Sequence, residues 1–248
     1  MTFHRWMVLA FFLVFSTAAR ADQPTPERPA NVDEALWKLL VEVDARGGQV
    51  KDLRADFTQE KFTPLLKRPL VSSGTVLIKG TTSLWTTTRP EPTVMRIDDR
   101  EIGILYPRQK VFEIYATDGK MGFLAASPFP RLDVLRKHFT FERIPVKDVS
   151  ATANEAGHVA LRLQPTGPEL REHVDEVRVL LEIQTGFVRQ AQTIDADGDR
   201  IVLSFANVKV NTGLDDGALA LNVPAGVTIS RPLDGSTERS APGRGQGK

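Results

Sequence analysis

The chain has 248 residues, no cysteine, and 32 lysines and arginines against 31 aspartates and glutamates. The absence of cysteine excludes disulfide cross-links and a lipid-modified N-terminal cysteine, so stability has to come from a hydrophobic core. The balanced charge excludes a broad electrostatic field for nucleic acid or an anionic membrane.

The first 21 residues predict a secretory signal peptide. His4 and Arg5 precede the unbroken apolar run Trp6–Phe15, and Ala19-Arg20-Ala21 supplies a small-x-small cleavage site before Asp22. A membrane anchor is the weaker alternative, because this run is roughly half of the ~20 residues that a membrane-spanning helix needs. The signal peptide holds two basic residues and no acidic one, so the mature chain has a net charge of −1 in an extracytoplasmic compartment.

The composition of the mature chain predicts one folded domain between two disordered ends. Residues 22–31 are proline-rich and are expected to be flexible, and residues 232–248 are nearly free of apolar side chains and are expected to form a disordered tail. The intervening residues 32–231 suffice for a hydrophobic core, and all-β sandwiches and barrels of this size are commonly single domains.

The first predicted element is a helix that begins at about Val32 and ends at Gly47-Gly48. Asn31 is the expected cap, and Asp33 and Glu34 would lie in the first turn. Apolar residues at helical spacing predict the buried face, which consists of Leu36, Leu39, Leu40 and Val43.

Evenly spaced apolar runs bounded by glycine, proline or aspartate then predict an antiparallel meander. The first six strands are expected at 53–62, 72–79, 83–88, 93–98, 102–106 and 110–115, and five more at 139–144, 158–165, 174–183, 186–194 and 200–210. The stretch ALALNVPAGVTI predicts a closing strand and turn. About eleven strands favour a mainly β fold with a single curved sheet, because twist accumulates from strand to strand.

A helical insert interrupts the meander between residues 121 and 139. Leu132, Leu135 and Phe139 fall at the spacing of one helical face. Helices over the open side of a curved sheet would fill its concavity, so this insert is the predicted lid.

Residues that could support catalysis or metal binding are sparse. Asp195, Asp197 and Asp199 superficially resemble a calcium loop but lack its later glycine and glutamate, which favours a hairpin turn. The histidines of the mature chain are scattered, and no nucleophile elbow or phosphate-binding glycine loop is present. We therefore expect no enzyme, no cofactor and no metal. An enzyme with a site assembled from distant residues stays open, and a polar pocket with strongly shifted pKa values would favour it.

Short motifs follow one another in a characteristic order along nearly the whole mature chain. They are Phe57-Thr58-Gln59, Gly74 with Leu77 and Lys79, Trp85 with Pro90, Asp99, Tyr106-Pro107, Ser127-Pro128-Phe129, Asn222-Val223-Pro224 and Gly226-Val227. In this order and spacing the sequence resembles the periplasmic outer-membrane lipoprotein carrier family, the LolA-like proteins.

The resemblance implies a half-open barrel whose hydrophobic cavity is covered by helices. In that family the cavity takes acyl chains of lipoproteins from an inner-membrane transporter, the donor, and passes them to an outer-membrane receptor, the acceptor. The family receptor is anchored through a lipid-modified cysteine, so this cysteine-free chain resembles the carrier. We expect a periplasmic monomer that binds an acylated lipoprotein or lipid and no nucleic acid. A lipid-sensing or exporter-associated interaction protein of the same fold, with a different lipid, is the alternative.

The predicted cavity and lid residues are the larger apolar side chains of the early strands and of the insert, although ordinary core packing is an equal alternative for each one. They are Phe57, Trp85, Met95, Ile97, Ile104, Tyr106, Phe112, Phe123, Leu124, Phe129, Leu132, Leu135 and Phe139.

The family's lid latch, an arginine followed by proline, has no direct match after the strand that begins at Gly74. Lys79 occupies the corresponding stretch, and Arg89-Pro90 lies one strand later. Lys79 and Arg89 are candidate latches, and the alternative for both is a solvated surface cation.

Overall fold

A single curved β-sheet dominates the structure, a computed structural model that describes residues 27–116, 131–233 and 236–239. The helices are α1 (Glu34–Gly47), α2 (Leu132–His138) and α3 (Pro168–Arg171), and short 3-10 turns cover Val146–Asp148 and Asp216–Leu219. The strands are β1 (Asp52–Phe62), β2 (Leu70–Lys79), β3 (Thr82–Arg89), β4 (Thr93–Ile97), β5 (Glu101–Tyr106), β6 (Val111–Ala116), β7 (Phe139–Ile144), β8 (His158–Pro165), β9 (Glu176–Glu182), β10 (Val188–Ile194), β11 (Arg200–Val210), β12 (Thr228–Arg231) and β13 (Ser236–Arg239).

The strand order is β13-β12-β6-β5-β4-β3-β2-β1-β11-β10-β9-β8-β7. Two antiparallel meanders, β1–β6 and β7–β11, meet where β1 pairs with β11 at the middle of the sheet. The mainly β fold with helices over the concave side is confirmed. The structure describes thirteen strands: β12 begins in the stretch that predicts a closing strand and runs parallel to β6, and β13 extends this edge of the sheet. Strand β13 lies inside the segment 232–248, for which the composition predicts disorder.

Helix α1 forms where the apolar periodicity predicts it, but its cap differs from the prediction. The carboxylate of Asp33 accepts a hydrogen bond from the backbone N–H of Leu36 at 2.8 Å, so Asp33 is the N-cap and the assignment to Asn31 is wrong. The two residues are equivalent cap types, and the chain turns into the helix two residues later than expected. The buried face of the helix consists of Leu36, Trp37, Leu40 and Val43.

Helices α1 and α2 pack on the concave face of the β7–β10 half and form the larger hydrophobic core with it. Trp37 of α1 contacts Phe141 of β7 edge to face, with 6.4 Å between the ring centroids. Gly186, in the turn between β9 and β10, permits the close approach of the end of α1. Its φ is +72°, and a Cβ atom there would lie 2.4 Å from the carbonyl oxygen of Val43.

The opposite, outer face carries the C-terminal segment, which we define as residues 211–223. The buried carboxylate of Asp52 accepts hydrogen bonds from Thr212, Gly213 and Leu214. Burial alone would raise the pKa of Asp52, but these hydrogen bonds outweigh it and hold the pKa below its ordinary value. The segment is thereby fixed to the start of β1.

Two cations of the outer face hold the same segment farther along. Nζ of Lys79 donates to the carbonyl of Leu214 at 2.7 Å and pairs with Asp216 at 2.7 Å. Nε of Arg96 donates to the carbonyl of Leu219 at 3.2 Å. In the described ranges, no helix has the length and hydropathy of a membrane-spanning segment.

Candidate functional site

The concave face of β1–β5 presents a continuous row of large apolar side chains. Trp85 of β3 lies directly opposite Met95 of β4, which lies opposite Ile104 of β5. Ile97 occupies the same face of β4 two residues after Met95, and Phe57 of β1 contacts Trp85 with 5.1 Å between ring centroids. The structure therefore brings together residues that the sequence predicts for a cavity.

Four aromatic rings form the floor of this face where the two meanders meet. Trp85 lies 6.1 Å from Phe205 of β11, and Phe205 lies 5.5 Å from Phe187 of the β9–β10 turn, measured between centroids. The indole N–H of Trp85 donates to the hydroxyl of Ser83 at 3.1 Å, so its polar atom is satisfied within the apolar surface. A smaller hydrophobic core, separate from the helix-covered one, contains these rings.

No described helix contributes to this smaller core. In the β7–β10 half, α1 and α2 fill the concavity with their own side chains. In the β1–β5 half, Ile78, Met95 and Ile102 are partly exposed along the edge of the aromatic floor. This partly exposed apolar surface is the candidate binding surface.

Polar side chains of β5 and β6 lie beside the candidate surface. The hydroxyl of Tyr115 donates to the carboxylate of Glu113 at 2.8 Å. Tyr106, whose pKa is raised well above its ordinary value, lies beside the same carboxylate. Burial is the main cause, and the charge of Glu113 and its hydrogen bond with Tyr106 add to it, because both disfavour a phenolate. The surface thus offers a charged acceptor next to its apolar floor.

The predicted lid residues of α2 belong to the core. Leu132 and Leu135 are buried against α1, and Phe139 begins β7 in the same core. The carboxylate of Asp44 accepts the backbone N–H of Leu132 at 2.9 Å and lies 3.4 Å from Nε of Arg131, which fixes the start of α2 on α1. These three predicted residues therefore stabilise the helix-covered half.

The remaining predicted residues lie elsewhere. Phe112 pairs with Leu105 in the β5–β6 register, which places it on the outer face. Phe123, Leu124 and Phe129 lie outside the described residues. Of the two candidate latches, Lys79 holds the C-terminal segment on the outer face, and Arg89 is exposed at the end of β3.

A pocket of about 610 Å³ lies on the outer face, between β2–β6 and the C-terminal segment. Lys79, Arg96, Phe112 and Leu219 line it. Both cations already bind backbone carbonyls of the segment, so this pocket is the space that remains under a fixed segment.

The aspartates at 195–199 form the predicted hairpin turn between β10 and β11. One carboxylate oxygen of Asp195 accepts the backbone N–H groups of Asp197 and Asp199, at 3.1 and 2.9 Å. Asp199 pairs with Lys61 at 2.9 Å, and this ammonium group holds the pKa of Asp199 below its ordinary value. Within the ranges that the structure describes, no group of three or more histidine, aspartate and glutamate residues is arranged to hold a metal ion.

Comparisons with known proteins agree with the fold. A family model described as "Outer membrane lipoprotein carrier protein LolA" matches residues 48–220. No curated protein matches the sequence. The crystal structure of an uncharacterized conserved protein from Thermus thermophilus aligns with a TM-score of 0.51 and 11% identity, over 80% of this chain and 99% of that chain.

Two further solved structures show weaker similarity. A putative outer membrane lipoprotein-sorting protein domain from Vibrio parahaemolyticus aligns with a TM-score of 0.42 and 11% identity, over 73% of this chain and 94% of that chain. A chain of the Pseudomonas aeruginosa MucA/MucB complex aligns with a TM-score of 0.41 and 11% identity, over 75% of this chain and 60% of that chain. Because the family model covers more than half of the sequence, this chain belongs to the outer membrane lipoprotein carrier protein LolA family.

Proposed function

We propose that the concave face of β1–β5 binds acyl chains and that the protein carries acylated lipoproteins, or a related lipid, across the periplasm. Cargo would come from an inner-membrane transporter and pass to an outer-membrane receptor. Membership of a family of periplasmic lipoprotein-binding proteins supports this role. So does the signal peptide predicted over residues 1–21, whose cleavage would leave Asp22 as the first residue.

The observation that carries the proposal is the partly exposed apolar surface beside the floor of Trp85, Phe57, Phe187 and Phe205. An acyl chain in water costs ~0.8 kcal/mol for each exposed methylene, so a carrier must cover most of its length. Ile78, Met95 and Ile102 offer such cover, because each of them is partly exposed and packs against the buried floor.

The arrangement of the two halves supports reversible binding. The helix-covered half has a packed core of its own, so the fold does not depend on cargo to complete it. The candidate surface gains apolar contact from cargo without reorganising that core. Release therefore costs the contacts with cargo alone, which is the property that a carrier needs.

Native mass spectrometry of the mature protein, purified from the periplasm of a lipoprotein-producing host, tests the proposal directly. We expect a population whose added mass equals that of a triacylated lipoprotein. A bound lipid without a polypeptide would indicate a specialised carrier. Repeated recovery without any cargo, together with no binding of acyl probes, would contradict the carrier role and favour an interaction protein.

Neighbouring residues of β4 provide a matched pair of variants for the binding surface. Met95 faces the concave side and Val94 the outer side, and both are partly exposed. Met95→Asp should weaken the binding of a fluorescent fatty acid by about tenfold or more, because a carboxylate would be desolvated against the acyl chain. Val94→Asp should leave the affinity unchanged. Equal affinities of the two folded variants would show that acyl chains do not bind to this face.

A further inference from the structure

The loop between β1 and β2, residues 63–69, and the first two residues of β2 carry most of the strongly exposed large apolar side chains that the structure describes. Six large apolar side chains are strongly exposed within the described ranges, and four of them lie between residues 65 and 71. Their exposed fractions are 91% for Leu65, 46% for Leu66, 51% for Leu70 and 49% for Val71. A cluster of this kind on a monomer surface indicates an interaction site.

Contacts within the loop and at the end of β1 fix the loop in place. The backbone N–H of Leu66 donates to the carbonyl of Thr63 at 3.1 Å, which closes a turn at the tip. Below it, Lys61 pairs with Asp199 at 2.9 Å, and the guanidinium of Arg200 lies 4.0 Å from the centroid of the Phe62 ring. The leucines therefore project from two paired strands that are also fixed to the β10–β11 hairpin.

Two adjacent cations follow the leucines at the tip. Lys67 and Arg68 are both exposed. The acidic groups near the loop are Glu60 of β1, which lies opposite Val71, and those of the β10–β11 turn, where Asp199 is paired with Lys61 and one oxygen of Asp195 accepts two backbone N–H groups. The tip itself combines apolar and basic side chains, which is the composition that favours the interface of an anionic bilayer.

We propose that the β1–β2 loop, residues 63–69, docks on a membrane. Leu65 and Leu66 enter the boundary between headgroups and acyl chains, and Lys67 and Arg68 contact phospholipid phosphates. The near-neutral charge of the whole chain makes this attraction local, so binding is weak and reversible. The inference does not depend on which cargo the concave face binds.

Flotation of the mature protein with vesicles of phosphatidylethanolamine and phosphatidylglycerol tests the loop, with phosphatidylcholine vesicles for comparison. We expect the wild-type protein to float with the anionic vesicles, and Leu65→Ser/Leu66→Ser to reduce the bound fraction about tenfold. Lys67→Gln/Arg68→Gln should reduce it on anionic vesicles by a similar factor, with little change on phosphatidylcholine. Leu233→Ser, which alters another exposed leucine, serves as the control and should bind like the wild type.

Before flotation, each variant should have the urea midpoint of the wild type and the wild-type affinity for the fluorescent fatty acid. A loss of flotation then reports a change in the loop alone. Wild-type flotation by Leu65→Ser/Leu66→Ser would overturn the proposal. So would failure of the wild-type protein to bind either kind of vesicle, and a cross-link from the loop to a protein partner would then identify a protein-docking site.

Discussion

Replacement of Asp52 should release the C-terminal segment from the outer face. The carboxylate accepts the backbone N–H groups of Thr212, Gly213 and Leu214 at 2.7, 2.9 and 3.2 Å, and the hydroxyl of Thr212 at 2.9 Å. Loss of a buried partner costs about 1–3 kcal/mol for each group left unsatisfied. Thr212 and Gly213 are exposed, so water replaces part of the loss, and we expect Asp52→Ala to reduce the free energy of unfolding by about 3 kcal/mol.

Urea denaturation at neutral pH measures this loss, and Asp56→Ala is the control. Asp56 lies on the same strand and accepts one exposed hydrogen bond, from Asn207 at 2.7 Å. Its replacement should cost about 0.5 kcal/mol, which is typical of an exposed polar contact. Equal losses in the two variants would refute the assignment of Asp52 as the anchor of the C-terminal segment.

The pH dependence of the Asp52 effect has a defined sign. The pKa of Asp52 is lower in the folded protein than its ordinary value of 3.8. A lowered pKa means that the stabilisation is complete above the unfolded pKa and is lost as the pH falls through the folded pKa. The difference in stability between the wild type and Asp52→Asn should therefore shrink below about pH 4. A difference that grows on acidification would contradict the reasoning.

Three further substitutions test other parts of the structure. Gly186→Ala should lower the free energy of unfolding by ~3 kcal/mol, because its φ of +72° disfavours alanine and the new Cβ would meet Val43; an unchanged urea midpoint would contradict this. Lys61→Met should raise the pKa of Asp199 towards its ordinary value, as measured by NMR titration of the carboxyl carbon; a constant pKa would exclude Lys61 as the cause. Tyr106→Phe should remove, from an ultraviolet titration, the phenol ionisation whose pKa is raised well above the ordinary tyrosine value, and its persistence would assign that ionisation to another group.

Local patterns in the sequence predict most of the strands. Met95 and Ile97 alternate with polar or smaller neighbours, and this alternation places them on one face before any partner strand is known. The periodicity of α1 has the same local origin. Its exact first residue is harder to predict, because Asn31 and Asp33 are equally good caps.

Local sequence patterns cannot predict the positions of site residues that depend on pairing between distant strands. Phe112 lies in a strand that is apolar on both faces, so alternation cannot assign its side, and the pairing with Leu105 decides it. Phe205 has a usable signal in the alternating run IVLSFANV, but its position beside Phe57 requires the pairing of β1 with β11. Phe187 comes from a turn and has no periodic signal at all. The floor of the candidate surface thus arises from contacts between distant parts of the chain.

The strand order also determines how this protein can assemble from the unfolded state. Within each meander every strand pairs with its sequence neighbour, so the hairpins of β1–β6 and of β7–β11 can form early with small loop-closure entropy. The pairing of β1 with β11 joins residues as distant as Phe57 and Phe205 and therefore bears the largest entropic cost. Because the aromatic floor spans this seam, the candidate surface is completed only when the two meanders dock, and a chain that stalls earlier exposes both of its halves to aggregation.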